Sequence, residues 1–330
     1  MSYISIKNTN SFSIYLEAAS KLGMKIKILD EKQRIAKIIS KNKKILLENM
    51  MLPINSDLAV AIARNKCLTK KILQAKRIPV ASGTCINSKN QLKSSKLPEY
   101  PLVIKPSVGG RGKGITTNIY SEKQLKNAVN KAFEFYKEII IEKFVKGDDY
   151  RFLVLSDEII GIVSRSIPFV LGTGKDTLKK LIEKENRKRL ALNKKNNRAI
   201  LKKFRFNKEL QAIINKQNYQ LNSIISFKKK VFLTGTANWS TGGIPKTLGH
   251  KDFHKDILKT AIKSLKILGL KFGAVDFIIK NPKKALKNNN GVILEVNTYP
   301  GINIYHYPLS CQPQIAAPKI LKFVIFHSTD

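Results

Sequence analysis

The chain has 330 residues, enough for two or three lobes around one site, and carries 61 Lys and Arg against 23 Asp and Glu, a formal net charge of +38. No apolar run approaches the about 20 residues that span a bilayer, and the N-terminus lacks the apolar stretch of a secretion signal, which argues against a membrane partner. Three cysteines, Cys67, Cys85 and Cys311, are too few and too scattered for a disulfide frame or a zinc site, so a cytoplasmic location is expected.

The basic excess is spread along the chain and is mostly Lys, accompanied by many Asn and Ile. An AT-rich coding sequence imposes that composition on any protein. It also suits attraction of an anionic ligand, and charge alone does not choose between the two. Nucleic acid is not expected as a partner, because aromatic and basic residues are not interleaved as base-stacking surfaces require.

In chain order, residues 12–22 have helical period, while 25–29, 35–39 and 43–47 read as strands, giving a small α/β lobe over residues 1–60. Residues 56–74 look like one helix, and Ile78-Pro79-Val80 leads into the next lobe. Over 61–160, strands around Val103, Ile140 and Leu153 flank a helical stretch at 122–136. The second large lobe takes 161–330. Within it, 183–222 is polar, Lys-rich and free of glycine and proline, predicting two helices with a solvated charged face. The polar 281–290 segment reads as an exposed loop. The spacing of His250, His254, His306 and His327 does not suit a metal, and single Trp239 reads as a packing residue.

Two segments carry chemistry. An apolar run delivers Lys105 at a strand end, followed by the Gly-rich, basic loop Val108-Gly109-Gly110-Arg111-Gly112-Lys113-Gly114. Glycines let backbone N–H groups turn toward a ligand and the cations supply charge, so the loop at 105–114 suits a polyphosphate. Far downstream, Glu295 and Asn297 alternate along an apolar strand, and Asp276 sits in another at 273–279. Two carboxylates and an amide oxygen on neighbouring strands make a hard oxygen shell of the kind Mg²⁺ takes together with phosphate. Taken alone, each is also readable as strand-end surface charge.

With these segments in place the sequence resembles the ATP-grasp superfamily of carboxylate–amine ligases, and within it the ATP-grasp part of cyanophycin synthetases and bifunctional glutathione synthetases. The superfamily resemblance rests on residues 61–70, with Asn65 where the family has Asp, on 103–114, on Ile141-Glu142-Lys143-Phe144-Val145-Lys146-Gly147-Asp148-Asp149-Tyr150-Arg151, and on Asp276 with Glu295-Val296-Asn297. Gly172-Thr173-Gly174-Lys175-Asp176-Thr177-Leu178-Lys179-Lys180-Leu181-Ile182 and Ala237-Asn238-Trp239-Ser240-Thr241-Gly242-Gly243 carry the narrower one. The fold implied is α/β with α+β lobes, an ATP-grasp fold preceded by a small pre-ATP-grasp-like lobe.

The resemblance implies ATP and Mg²⁺ as cofactors, with two ions and Mn²⁺ as a substitute. Lys66, Lys105, Gly110, Arg111, Gly112 and Lys113 would meet the phosphates. Glu142, Phe144 and Val145 would form the adenine hinge, and Asp149 would accept from the ribose. Asp276, Glu295 and Asn297 would hold metal. Arg165 would bind a substrate carboxylate, Asn238 would lie at the reacting carboxyl, and Gly301 would offer an N–H to the oxyanion. Lys66 and Arg165 are equally readable as surface cations, and 238–243 as a tight turn.

The implied reaction joins an amino-acid or peptide carboxylate to an amine through an acylphosphate, which fits the lack of a Ser/His/Asp or Cys/His set. The chain departs from cyanophycin synthetases, whose loop reads Asp-Gly-Asn-His-Gly-Arg and which carry further N- and C-terminal domains; a stand-alone ligase making one amide bond is therefore expected. Alternatives are a ligase acting on a protein or carrier terminus and a non-catalytic nucleic-acid-binding protein on the same scaffold. A homodimer is left open.

Overall fold

The computed structural model describes residues 10–110, 114–195, 201–235, 242–308 and 311–327. Helix α1 (Ser11–Lys21) begins where the Asn10 side chain accepts the Ser13 N–H, satisfying a donor that has no partner inside the helix. Strands β1 (Lys25–Asp30), β2 (Ile35–Ser40) and β3 (Lys43–Glu48) follow as an antiparallel meander. Ala36 and Ile38, then Ile45 and Leu47, bury alternate side chains, as a sheet with one covered face requires.

Next come two helices where the sequence predicts one, α2 (Asp57–Arg64) and α3 (Lys66–Ala75). Asn65 leaves helical geometry (φ −93°, ψ 106°) and accepts the Leu68 N–H at 2.9 Å. A short polar side chain that bonds the backbone locally favours such a cap over continuation. The break places Lys66 at a helix N-terminus, its N–H donated to the Ser107 carbonyl at 2.8 Å.

Strand β4 (Gly83–Ile86), the short α4 (Gln91–Ser94), β5 (Leu102–Pro106), β6 (Thr116–Ile119), α5 (Glu122–Phe133) and β7 (Ile139–Lys143) make a four-stranded antiparallel sheet ordered β4–β7–β5–β6. Leu102, Ile104, Ile139 and Ile141 pack on Leu125 and Val129 of α5. Lys105 and Glu142, alternating with them, fall on the opposite face. The structure corrects the reading of the cysteines: Cys67 of α3 and Cys85 of β4 form a disulfide. They are 18 residues apart, but the turn after α3 folds β4 back beside the helix, which spacing alone does not reveal.

Strands β8 (Asp148–Leu155) and β9 (Glu158–Ser166) enter a second sheet, so the expected lobe boundary at 160 falls inside β9. A satellite follows, with the ribbon β10 (Phe169–Leu171) and β11 (Lys230–Phe232) enclosing α6 (Leu178–Lys195) and α7 (Lys208–Asn215) around Val170, Leu178, Ile182, Ile214 and Val231. Helix α6 starts five residues before the predicted polar stretch. Its face is not wholly solvated: Asn186 and Asn193 each exchange two hydrogen bonds with the backbone of Phe204 and Leu201.

Strand β12 (Ile244–Thr247), α8 (Lys255–Ile267), β13 (Phe272–Ile279) and β14 (Gly291–Asn297) complete the five-stranded antiparallel sheet β12–β9–β8–β13–β14. One face, with Phe152, Val154, Val275 and Phe277, is covered by Ile257, Ala261 and Leu265 of α8 and by Ala59, Ala63 and Leu73 of α2 and α3. The other face, with Leu153, Leu155, Phe272 and Ala274, is covered by the N-terminal lobe, by α9 (Asn303–His306) and by α10 (Ala317–His327). Residues 281–290 form the expected turn, held by the Asn290 side chain, which accepts the Asn281 N–H and donates to the Asn281 carbonyl. Among the described residues no helix is long and apolar enough to cross a membrane.

Candidate active site between the two sheets

The face covered by the N-terminal lobe changes character along its strands. Register pairs Phe272 with Leu155 and Ala274 with Leu153 at the apolar end, then Asp276 with both Arg151 and Glu295. On the next pair Asp149 lies opposite Arg165. Directly opposed side chains on one sheet face stand close enough to pair, so the register alone assembles a charged row.

Asp276 is fully buried and receives both Arg151 donors at 2.6 Å and Arg165 Nη2 at 3.1 Å. Burial by itself would raise its pKa, but the Arg151 and Arg165 guanidiniums overrule burial and hold the carboxyl well below the usual carboxylate range. Arg165 also donates twice to Asp149 Oδ1, at 2.9 and 2.6 Å. Burial pushes Asp149 up to about 6 against the pull of Arg165, and the neighbouring Asp276 pushes the same way. Asn297 bridges Asp276 Oδ2 and Glu295 Oε1, each at 3.2 Å. Asp276, 21 residues before Asn297 in sequence, thus meets Glu295 and Asn297 as the alternation on two strands implies.

The four-stranded sheet and α3 face this row with lysines. Glu142, 3% exposed, lies between Lys105, 2.6 Å from Oε2, and Lys70, which pairs with Oε1 and donates to the Ala81 carbonyl. Burial lowers Lys70, partly offset by Glu142. Lys105 reaches across to the Leu294 carbonyl at 3.4 Å. That carbonyl lies where the β13–β14 register skips Leu294; such a bulge interrupts the ladder and leaves a residue outside regular pairing. Lys66 donates to the Gly109 carbonyl at 2.7 Å and stands 3.8 Å from Glu295. Burial lowers it too, with Glu295 opposing and Lys105 reinforcing.

Other predicted residues are placed as follows. The Phe144 N–H is donated to the Pro101 carbonyl at 2.8 Å, and Val145 follows it, half-buried, after β7. Glu142 turns its carboxylate to two lysines rather than to the loop after β7. Gly110 is exposed, with open space where a side chain would stand. Gly114 has φ +73° and lies against the Tyr136 ring, 2.5 Å from where a Cβ would be, so only glycine fits. Gly301 precedes Ile302, whose N–H is donated to Ser11 Oγ at 3.1 Å. Arg111, Gly112, Lys113 and Asn238 lie outside the described residues, as does Trp239. Sequence reasoning did not single out Lys70 or Arg151. Both stood inside motif segments, and their one signal was spacing: Lys70 one helical turn after Lys66, Arg151 two strand residues after Asp149.

Among the described residues no group of three or more His, Cys, Asp or Glu side chains could hold a metal ion unaided. The donor types of Asp276, Glu295 and Asn297 are the hard-oxygen kind that Mg²⁺ takes, while in this structure Arg151 and Arg165 hold Asp276 and Asn297 turns its Nδ2 to both carboxylates.

In fold the chain is similar to ligases of known structure, and sequence comparison finds relatives of the same kind. The D-ala D-ala ligase C-terminus family matches residues 68–167. The chain is 35% identical over 268 residues to a cyanophycin synthetase of Crocosphaera subtropica, a match covering 79% of this chain and 30% of the relative. It is 29% identical over 317 residues to the glutathione biosynthesis bifunctional protein GshAB of Clostridium perfringens, covering 94% of this chain and 40% of that one. A bifunctional glutathione synthetase structure from Pasteurella multocida superposes with a TM-score of 0.69 at 23% identity, over 98% of this chain and 45% of the other. The chain therefore spans about a third of the cyanophycin synthetases it matches.

Proposed function

We propose that this chain is an ATP- and Mg²⁺-dependent, ADP-forming ligase that joins an amino-acid or peptide carboxylate to an amine. The observation that carries this is the lysine cluster against β14, with Lys70 and Lys105 on Glu142, Lys105 also on the Leu294 carbonyl, and Lys66 3.8 Å from Glu295, which Asn297 links to Asp276. Three ammonium groups suit a polyphosphate, and the oxygen row suits a divalent ion bridging it.

Asp276, Glu295 and Asn297 would hold two Mg²⁺ ions, which when bound neutralise charge on the transferring phosphoryl group. The lysines orient the phosphate chain, while Phe144 and Val145 would form the hinge over adenine. Arg165 places the acid substrate's carboxylate for attack on the γ-phosphate. ADP leaves, and the amine attacks the acyl carbon of the resulting acylphosphate, with the Gly301 N–H as oxyanion donor; the C–O bond to phosphate breaks, and phosphate and the amine's proton depart. The protein contributes orientation, fixed charge and exclusion of water rather than a nucleophile of its own.

Amino-acid and dipeptide pairs screened for ADP release, with the product weighed by mass spectrometry, test this reading. One pair is expected to give Mg²⁺-dependent ADP release and a product lighter by one water than its two components. ATP that yields neither binding heat nor thermal shift at millimolar concentration with Mg²⁺ would sink it.

A further inference from the structure

Arg189 lies on α6, in a stretch whose composition reads as a solvated cationic face, yet it is only 1% exposed. Its Nε donates to Glu185 Oε1 at 2.8 Å, and its Nη1 donates to the Lys202 carbonyl at 3.1 Å and the Gly242 carbonyl at 2.9 Å. The guanidinium also stacks 4.3 Å from the centre of the Phe204 ring. A planar fork that serves three acceptors and a ring at once is something no lysine can replace.

The acceptor that matters is Gly242. Its φ of +100° is open to glycine, and a Cβ there would lie 3.0 Å from Phe204 and 3.3 Å from Arg189, so the backbone is seated directly on the arginine and the ring. Three residues on, Pro245 of β12 is the register partner of Arg165 on β9. Arg165 is in turn bound to Asp149 and Asp276. A continuous path of hydrogen bonds and strand pairing thus runs from the satellite to the charged row.

We propose that Arg189 is a positioning residue for the carboxylate site, fixing the entry of β12 and through that strand the backbone beside Arg165. This rests on the ligase reading, in which Arg165 receives the acid substrate. The nucleotide side, built on α3, β5 and β7, touches neither Arg189 nor β12 among the described contacts.

The test compares the full chain with Arg189→Met and Arg189→Lys by amide hydrogen exchange and by steady-state kinetics. Arg189→Met should speed exchange in peptides covering 242–247 and leave those covering 102–106 and 139–143 unchanged. Loss of buried charge-assisted bonds should raise KM for the acid substrate about tenfold while KM for ATP stays within about twofold, and Lys should not rescue. Exchange confined to 178–233 with both KM values unchanged, or a parallel rise of both, would overturn the proposal. Should Arg189→Met fail to fold, Gly242→Ala disturbs the same contact from the strand side and must show the same split; unaltered kinetics and exchange there would overturn it equally. Absence of ADP release from the unaltered chain with every acid removes the ligase reading, and the exchange comparison then still decides whether Arg189 holds β12.

Discussion

Asp276 and Glu295 differ in how much of the fold depends on them. Asp276 is fully buried and shared by two guanidiniums, whereas the Glu295 side chain is 30% exposed and its nearest cations stand at 3.8 and 4.0 Å. Removing one member of a buried ion cluster leaves the others uncompensated, so Asp276→Asn should cost about 3–5 kcal/mol of stability. Glu295→Gln should cost about 0.5 kcal/mol or less, as for partly exposed polar sites, while still abolishing ADP release. Urea unfolding alongside the ADP assay checks both, and a Glu295→Gln protein with wild-type turnover would exclude the metal role. The oxygen row could be read in the sequence because strand alternation fixes which residues share a face. Arg151 could not, because a strand arginine says nothing of its partner until register places it opposite Asp276.

At the scale of elements, His306 shows what sequence pattern cannot give. Its Nε2 accepts the N–H groups of both Ala316 and Ala317 at 3.0 Å, satisfying donors at the start of α10 that have no intrahelical partner. The ring must be neutral to accept, and burial lowers it from 6.5 to about 4. The unfolded chain then binds a proton that the folded chain refuses, so this contribution is intact above 6.5 and is lost as pH falls from 6.5 toward 4. The full effect is about 3 kcal/mol. Urea midpoints at pH 7 and 4.5 should show this loss, and His306→Asn should be weaker at pH 7 yet flatter across that range. An equal slope in both proteins would mean another group titrates. Neither the histidine's spacing nor the helix it anchors carries a local signal, since the contact joins the end of α9 to a segment ten residues on. Elements with strong periodicity, such as α1 and the β2–β3 pair, were legible. The break at Asn65 was not, because apolar spacing runs through it undisturbed.

For the whole molecule, the charge of +38 must be read with the pairs just described. The acidic residues at the site are matched by local cations, so most of the excess lies on outer surfaces and repels itself. Self-repulsion of this kind destabilises a compact state and is screened by salt, over a Debye length of about 30 Å at 0.01 M that shrinks to about 8 Å at 0.15 M. Melting temperature should therefore rise by several degrees between those ionic strengths in sodium chloride. A flat or falling response would show that surface ion pairs outweigh the repulsion.

The lysines between the sheets are already satisfied before any polyanion arrives: Lys66 on the Gly109 carbonyl, Lys70 and Lys105 on Glu142, and Lys105 on Leu294 as well. An incoming phosphate chain would exchange acceptors with these ammonium groups instead of finding them solvated and waiting. Exchange of one bond for another yields little heat per contact. Affinity in such a pocket is the difference between two complete networks. It follows how well the newcomer's oxygens reproduce the positions of the carbonyls and carboxylate they displace, and only weakly how many positive charges surround it.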